Sequence, residues 1–244
     1  MTSFQKELDK NNHTILKVPD KLWDEIRLLL PKEKSSDTVG RPVIPFRKVL
    51  DGILHVLRTG CQWKMLSQEY GSGSTCHRRF QQWNELDIFK KIWIRLLKIY
   101  DNLIGINWTW QSIDNISIKS PLGGAMTGNN STDRSKLGTK SHILTDKEGI
   151  PLSVVISSAS THDIKLVTEV VDYLVIKRRP SSSKPKSRSR KLQHLCLGKA
   201  YNSNPEEQKL IKRDYVLHIP YKRKKGQEDK RENKIYTTSK KTFS

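Results

Sequence analysis

The chain has 244 residues, with 45 Lys and Arg against 25 Asp and Glu and a formal net charge of +20. That length suffices for one large domain or two small ones, and the charge points to a polyanionic partner, nucleic acid before others. No apolar run approaches the ~18–20 residues of a membrane span, and "MTSFQKELDKNNH" lacks the apolar core of a signal peptide, so the expectation is a cytoplasmic protein with no membrane partner. The three cysteines, Cys61, Cys76 and Cys196, form no CxxC pair and sit among apolar neighbours. They read as small core residues, against disulfides or a structural zinc site.

The first hundred residues have a helical period. Asp20 can cap a helix with Trp23, Ile26, Leu29 and Leu30 on one face and Pro31 as its stop. "PFRKVLDGILHVLRTG" spaces Val49, Ile53, Val56 and Leu57 helically and ends on Gly60. After the glycine turn 71–73, "STCHRRFQQWNEL" places Cys76, Phe80 and Trp83 on one side and Arg78, Arg79 and Gln82 on the other. "DIFKKIWIRLLKIYDN" offers Phe89, Ile92, Trp93, Leu96, Leu97 and Tyr100 as a buried face. The order predicts a helix-turn-helix-like DNA-binding domain over 1–104, with Arg78, Arg79 and Gln82 on the helix presented to the groove. A solvated helix face is the alternative.

From about residue 105 the pattern changes. "TWQSIDNISIKS" alternates, and "SHILTDKEGIPLSVVISSAS" reads as two strands joined at a turn over 146–149. "THDIKLVTEVVDYLVIKRR" is a helix with Thr161 or Asp163 as cap, "LQHLCL" a strand, "NPEEQKLIKRD" a helix and "YVLHIP" a strand. The resulting α/β arrangement over 105–244 is a mixed sheet flanked by helices, in the order of the ribonuclease H-like fold.

"GRPVIPFRKVLDGILHVLRTGCQWKMLSQEYGSGSTCHRRFQQW", "IDNISIKSPLGGAMTGNNSTDRSKLGTKSHILTDKEGIPLSVVISSASTHD" and "HLCLGKAYNS" together resemble bacterial insertion-sequence transposases of the insertion-sequence four/five superfamily. The resemblance runs in order over roughly residues 18–225. It implies an aspartate-aspartate-glutamate site holding Mg²⁺ or Mn²⁺ on a ribonuclease H-like domain, behind a helical DNA-binding domain. Strand cleavage and joining exchange one oxygen for another at phosphorus, and two cations on hard oxygen ligands stabilise the attacking and leaving oxygens.

Carried over residue by residue, the first aspartate falls on Asp114 in "SIDNIS". The second falls on Gly198, because "GKAYN" stands where the family has "DKAYN". Glycine cannot ligate a cation. The family continues beyond the equivalent of "YTTSKK" into a Trp- and Arg-rich helix bearing the glutamate, whereas this sequence ends at "TFS", so the resemblance implies an incomplete fold without that helix. Glu206, Glu207, Glu228 and Glu232 read as a solvated face. Asp163 and His162 offer a rebuilt site on paper, but a helix cap is the commoner use of such an aspartate, and Asp133 and Asp146 fit loops and turns.

Residues 177–244 hold 21 Lys and Arg against 6 Asp and Glu, which is +15 of the total charge. Within them a Ser-, Pro- and basic-rich loop over 178–191 offers Lys184, Lys186, Arg188, Arg190 and Lys191 to phosphates, with Lys136, Lys140, Lys222 and Arg223 extending the surface. The leading expectation is a transposase-family protein that binds double-stranded DNA at insertion-sequence ends in the nucleoid, inactive alone, with a second copy or a full-length transposase as protein partner. The alternatives are an active transposase, through frameshift completion or rearranged ligands, and a basic non-catalytic RNA-binding protein.

Overall fold

The computed structural model describes residues 17–33, 43–131, 133–178 and 192–220, and the backbone of 234–236. It divides into two units, Met1–Ile99 and Tyr100–Ser244.

In the first unit α1 spans Asp20–Ile26 and passes into a 3₁₀ turn over Arg27–Leu29. Asp20 is the first helical residue and does not cap; Pro19 holds that position, and the Asp20 carboxylate instead pairs with Arg47 at 2.5 Å. α2, Phe46–Thr59, buries Phe46, Val49, Leu50, Ile53 and Val56, and Gly60 ends it in the left-handed conformation at φ 69°. Leu57 faces solvent. Two 3₁₀ turns, Trp63–Met65 and Gln68–Tyr70, lead into α3, Gly73–Glu85, where the Ser72 hydroxyl accepts from the Thr75 amide.

Gly73 is required by close approach. A Cβ there would lie 1.8 Å from the Trp63 carbonyl oxygen, which is backbone and cannot swing aside. Gly73→Ala is therefore expected to destabilise this unit by at least about 1–3 kcal/mol, the usual range for overpacking. Calorimetry would read it as a lowered N-terminal transition, and an unchanged profile would refute the contact.

α4, Ile88–Leu103, buries Ile88 and Leu97 fully, while Phe89, Ile92, Trp93, Leu96 and Tyr100 are only half-buried. The core of the unit centres on Trp83, with Phe46 edge-on at 5.4 Å between ring centroids.

Among the described residues the second unit is built on a seven-stranded mixed sheet: β1 Trp110–Lys119, β2 Gly128–Asn130, β3 Lys136–Asp146, β4 Pro151–Ser158, β5 Gln193–Leu197, β6 Tyr215–Ile219 and β7 Lys234–Tyr236. Their order is β2-β3-β1-β5-β6-β7, with β4 also paired to β3. β1, β3 and β4 are antiparallel neighbours, whereas β5 is parallel to both β1 and β6. This is the ribonuclease H-like arrangement expected from the sequence. The three-residue strands β2 and β7 are additional, since segments that short show no alternation.

α5, Val167–Asp172, and α6, Asn204–Ile211, cover one face. Their Val167, Val170 and Leu210, with Leu144, Leu152, Leu195, Leu197 and Leu217 of the strands, form its core. The helix expected from "THDIKLV" onward is shorter than its sequence period, beginning as a 3₁₀ turn over Asp163–Leu166 and ending at Asp172. A β-branched run, Val167, Thr168, Val170 and Val171, gives the helix little propensity of its own. On the opposite face Ile116, Ile118 and Ile156 remain more than half exposed.

Candidate active site

The parallel register of β1 and β5 sets the geometry. Its last pair is Ile113 with Leu197, so Asp114 and Gly198 follow side by side. Because side chains alternate along a strand, Asp114 shares its face with Ser112, and Ser112 is paired with Cys196, which shares its face with position 198. Two carboxylates there would project to one side of the sheet. Asp114 is exposed, and its Oδ1 accepts the Asn115 amide at 2.8 Å. Gly198 has φ −70° and ψ 168°, open to any L residue, and a Cβ would meet only the Tyr201 ring, at 3.9 Å.

On the opposite face of β1 and β3, where Asn115, Lys140 and His142 alternate together, lies a polar cluster. Asp163 accepts from Asn115 Nδ2 at 3.0 Å and from Lys140 Nζ at 2.8 Å, and Lys140 also donates to the Thr161 carbonyl at 3.1 Å. The side chains of Lys140 and Asp163 are only 14% and 12% exposed. His142 is fully buried, with Nε2 3.1 Å from the Ser157 hydroxyl and Nδ1 3.4 Å from the Tyr201 hydroxyl. Burial lowers the His142 pKa. Burial, with the nearby Asp163 and Asp114 charges, pushes the Tyr201 phenol up to about 12 against a hydrogen bond with Asn115 that lowers it. Both groups therefore stay neutral at physiological pH.

Three expectations are corrected here. Asp163 caps nothing: His162 precedes the 3₁₀ turn and no side chain caps it, because the Asp163 carboxylate is engaged by Asn115 and Lys140. Lys140 is turned inward onto that carboxylate, away from the exposed basic surface expected of it. Glu207 is no solvated residue. It is 2% exposed and its Oε1 accepts the Ser203 amide at 3.1 Å, satisfying a donor at the start of α6. Glu206 accepts from Lys209 and Thr168, and the Lys209 bond above all holds its carboxyl below the ordinary value.

Asp146 shapes the turn between β3 and β4, accepting the amides of Glu148, Ile150 and Asn107. Asp133 lies in a turn 3.6 Å from Lys119. Among the described residues no group of three or more His, Cys, Asp and Glu is arranged to hold a metal ion.

In the first unit Arg78 and Gln82 are exposed on α3. Arg79 is half-buried, its guanidinium 5.0 Å from the Phe46 ring centroid and its Nη1 donating to Gln82 Oε1 at 2.9 Å. Lys136 is exposed at the start of β3. Lys184, Lys186, Arg188, Arg190, Lys191, Lys222, Arg223, Glu228 and Glu232 lie outside the described residues. The sequence reading missed the Asn115, Lys140, His142 and Tyr201 cluster. Its one available signal was Lys140 and His142 two apart in a strand, facing the same side as the buried Leu144.

Comparison with known proteins agrees with this architecture. Residues 18–93 match a family model described as "Putative transposase of IS4/5 family (DUF4096)", and residues 112–243 match "Transposase DDE domain". The "Insertion element IS402 uncharacterized 16.2 kDa protein" of Burkholderia cepacia is 33% identical over 115 residues, 46% of this chain and 78% of that protein. The "Putative transposase for insertion sequence element IS402" of the same organism is 38% identical over 50 residues, 20% of this chain and 24% of that protein. Among the described residues no helix is long and apolar enough to cross a membrane. With the second model covering more than half of the sequence and laid over the very sheet that carries Asp114, the chain belongs to the insertion-sequence transposases with a DDE domain.

Proposed function

We propose that this chain binds double-stranded DNA at insertion-sequence ends and, by itself, does not perform the metal-dependent strand cleavage and transfer of its intact relatives. The observation that carries the reading is Gly198, beside Asp114 at the end of β5 with no side chain to offer. DDE transposase domains use divalent cations, which need carboxylates shared between neighbouring strands. The described donor set does not fit that requirement: Asp114 gives one carboxylate, and Asp163 is engaged by Lys140 and by Asn115, whose side chain alternates to the other face of β1.

DNA affinity does not depend on those ligands. The net charge of +20 supplies phosphate attraction, and Arg78 and Gln82 on α3 supply exposed base-reading groups, with Lys136 and the basic stretch near 184–191 tracking the backbone. A cytoplasmic, nucleoid-bound protein follows from that partner, with a second copy or a full-length transposase as the protein it would assemble with.

The test is a supercoiled plasmid carrying the element's own ends, with Mg²⁺ or Mn²⁺. Nicking is expected at the metal-free level, while a duplex bearing those ends is still retarded on gels. Arg78→Ala should reduce the preference for the ends over unrelated duplex by roughly tenfold, within the 1–3 kcal/mol of a base contact. Metal-dependent nicking abolished by Asp114→Asn would overturn the inactivity, and tighter binding of RNA than of duplex DNA would replace the partner.

A further inference from the structure

At one end of the sheet, the chain leaves β1 through a loop over 120–127 that exposes apolar side chains without being slack. Gly123 N–H donates to Ser120 O at 2.9 Å, and the Thr127 hydroxyl to Gly124 O at 2.7 Å. The loop is tied to β3 by Ser120 N–H to Leu137 O at 2.9 Å and by the Thr139 hydroxyl to Met126 O at 3.0 Å. Gly123 and Gly124, at φ 76° and 150°, permit the bend. At its tip Leu122 is 100% exposed and Met126 51%.

Among the described residues nothing covers the Leu122 side chain, so it is free to enter an apolar partner. The surroundings describe that partner. Lys119 ends β1, Lys136 opens β3, and Arg134 lies in the turn between β2 and β3, all exposed. Asp133 in that turn offsets part of one charge, 3.6 Å from Lys119. An exposed apolar tip whose flanking strand ends and turn carry exposed cations matches stacked bases flanked by phosphates. An anionic membrane has the same order of polarity, but the tip stands on the strand that carries Asp114. At about 3.3 Å per residue Lys119 is roughly 17 Å beyond Asp114, or about five base pairs along a duplex.

We propose that Leu122 is a wedge that enters a base step of duplex DNA and kinks it, while Lys119, Arg134 and Lys136 hold the flanking phosphates. The proposal rests on the DNA-binding reading above and adds a deformation to it. DNA would then be selected partly by how readily its steps unstack, with pyrimidine–purine steps favoured.

The test uses the full chain and a 40-base-pair duplex of about even composition with a central TA step, a dye at each end and 2-aminopurine beside the step. Wild-type protein is expected to shorten the end-to-end distance by a kink within about 20–90° and to raise 2-aminopurine emission. Leu122→Ser should bind the duplex within about threefold of wild type, since phosphate contacts supply most of the affinity, yet lose both signals. Leu122→Phe should keep them. Lys119→Gln with Lys136→Gln should weaken binding to all sequences and lower the salt slope by roughly 0.9 for each phosphate no longer neutralised. Because Leu122 is 100% exposed, circular dichroism of Leu122→Ser should match wild type.

Binding by wild type without a kink, or an undiminished kink with Leu122→Ser, overturns the wedge and leaves DNA binding intact. No binding of the duplex sinks both. Leu122-dependent partition onto phosphatidylserine vesicles, or self-association abolished by Leu122→Ser, would overturn it in favour of a membrane or a second copy.

Discussion

Gly198→Asp is expected to tighten Mn²⁺ binding by at least the roughly 10–100-fold that a supporting residue of a metal site is worth. The register ending at Ile113 and Leu197 puts the new carboxylate beside Asp114 on the same face, and the backbone at φ −70° accepts aspartate without strain. Without metal the two carboxylates repel, so the variant should melt below wild type; saturating Mn²⁺ should reverse the order by binding only the native state. Calorimetric titration and paired melting curves read both effects, and Asp114→Asn in the variant should abolish them. Equal Mn²⁺ affinity for wild type and Gly198→Asp would show that the positions do not share a cation.

Removing the ammonium of Lys140 is expected to cost more than any surface charge. Lys140 and Asp163 are 14% and 12% exposed and joined at 2.8 Å, so Lys140→Met leaves a largely covered carboxylate without its cation. Loss of one partner of a fully buried pair costs about 3–5 kcal/mol and of an exposed pair about 0–1, so this part-buried pair is expected to fall between, at about 1–3. Urea denaturation at neutral pH should record that loss, and Lys140→Met with Asp163→Asn should recover most of it by removing the stranded charge. A cost under about 1 kcal/mol for the single variant would mean that solvent screens the pair. Asn115→Ala tests the other bond to Asp163 and should cost less, because a neutral donor leaves the ion pair in place.

These two sites differ in how far the sequence discloses them. The helix Phe46–Thr59 and the strands on either side of the 147–150 turn are legible because local periodicity and glycine punctuation coincide. Asp114 is found only through the resemblance, since one carboxylate in an alternating strand carries no local mark. Asp163 is misread as a cap because its partners, Asn115 and Lys140, lie 48 and 23 residues away and no local pattern names them. Glu207 is misread for a similar reason: charge suggests exposure, but the open amide of Ser203 draws the carboxylate inward. The 3₁₀ segments flanking α1 and α5 escape helical period counting because they share its apolar spacing over one turn.

The room around Gly198 also bears on heredity. A second-base change in a glycine codon ending in a pyrimidine gives aspartate, and the reverse change gives glycine. With only the Tyr201 ring near a prospective Cβ, at 3.9 Å, and with backbone angles that both residues adopt, packing does not oppose the exchange in either direction. What opposes an aspartate here is then the charge of Asp114 and not the packing of the sheet, a cost that a shared cation would remove. Where the glycine codon ends in a pyrimidine, one nucleotide separates the two residues, and the exchange needs no compensating change in the packing of the sheet.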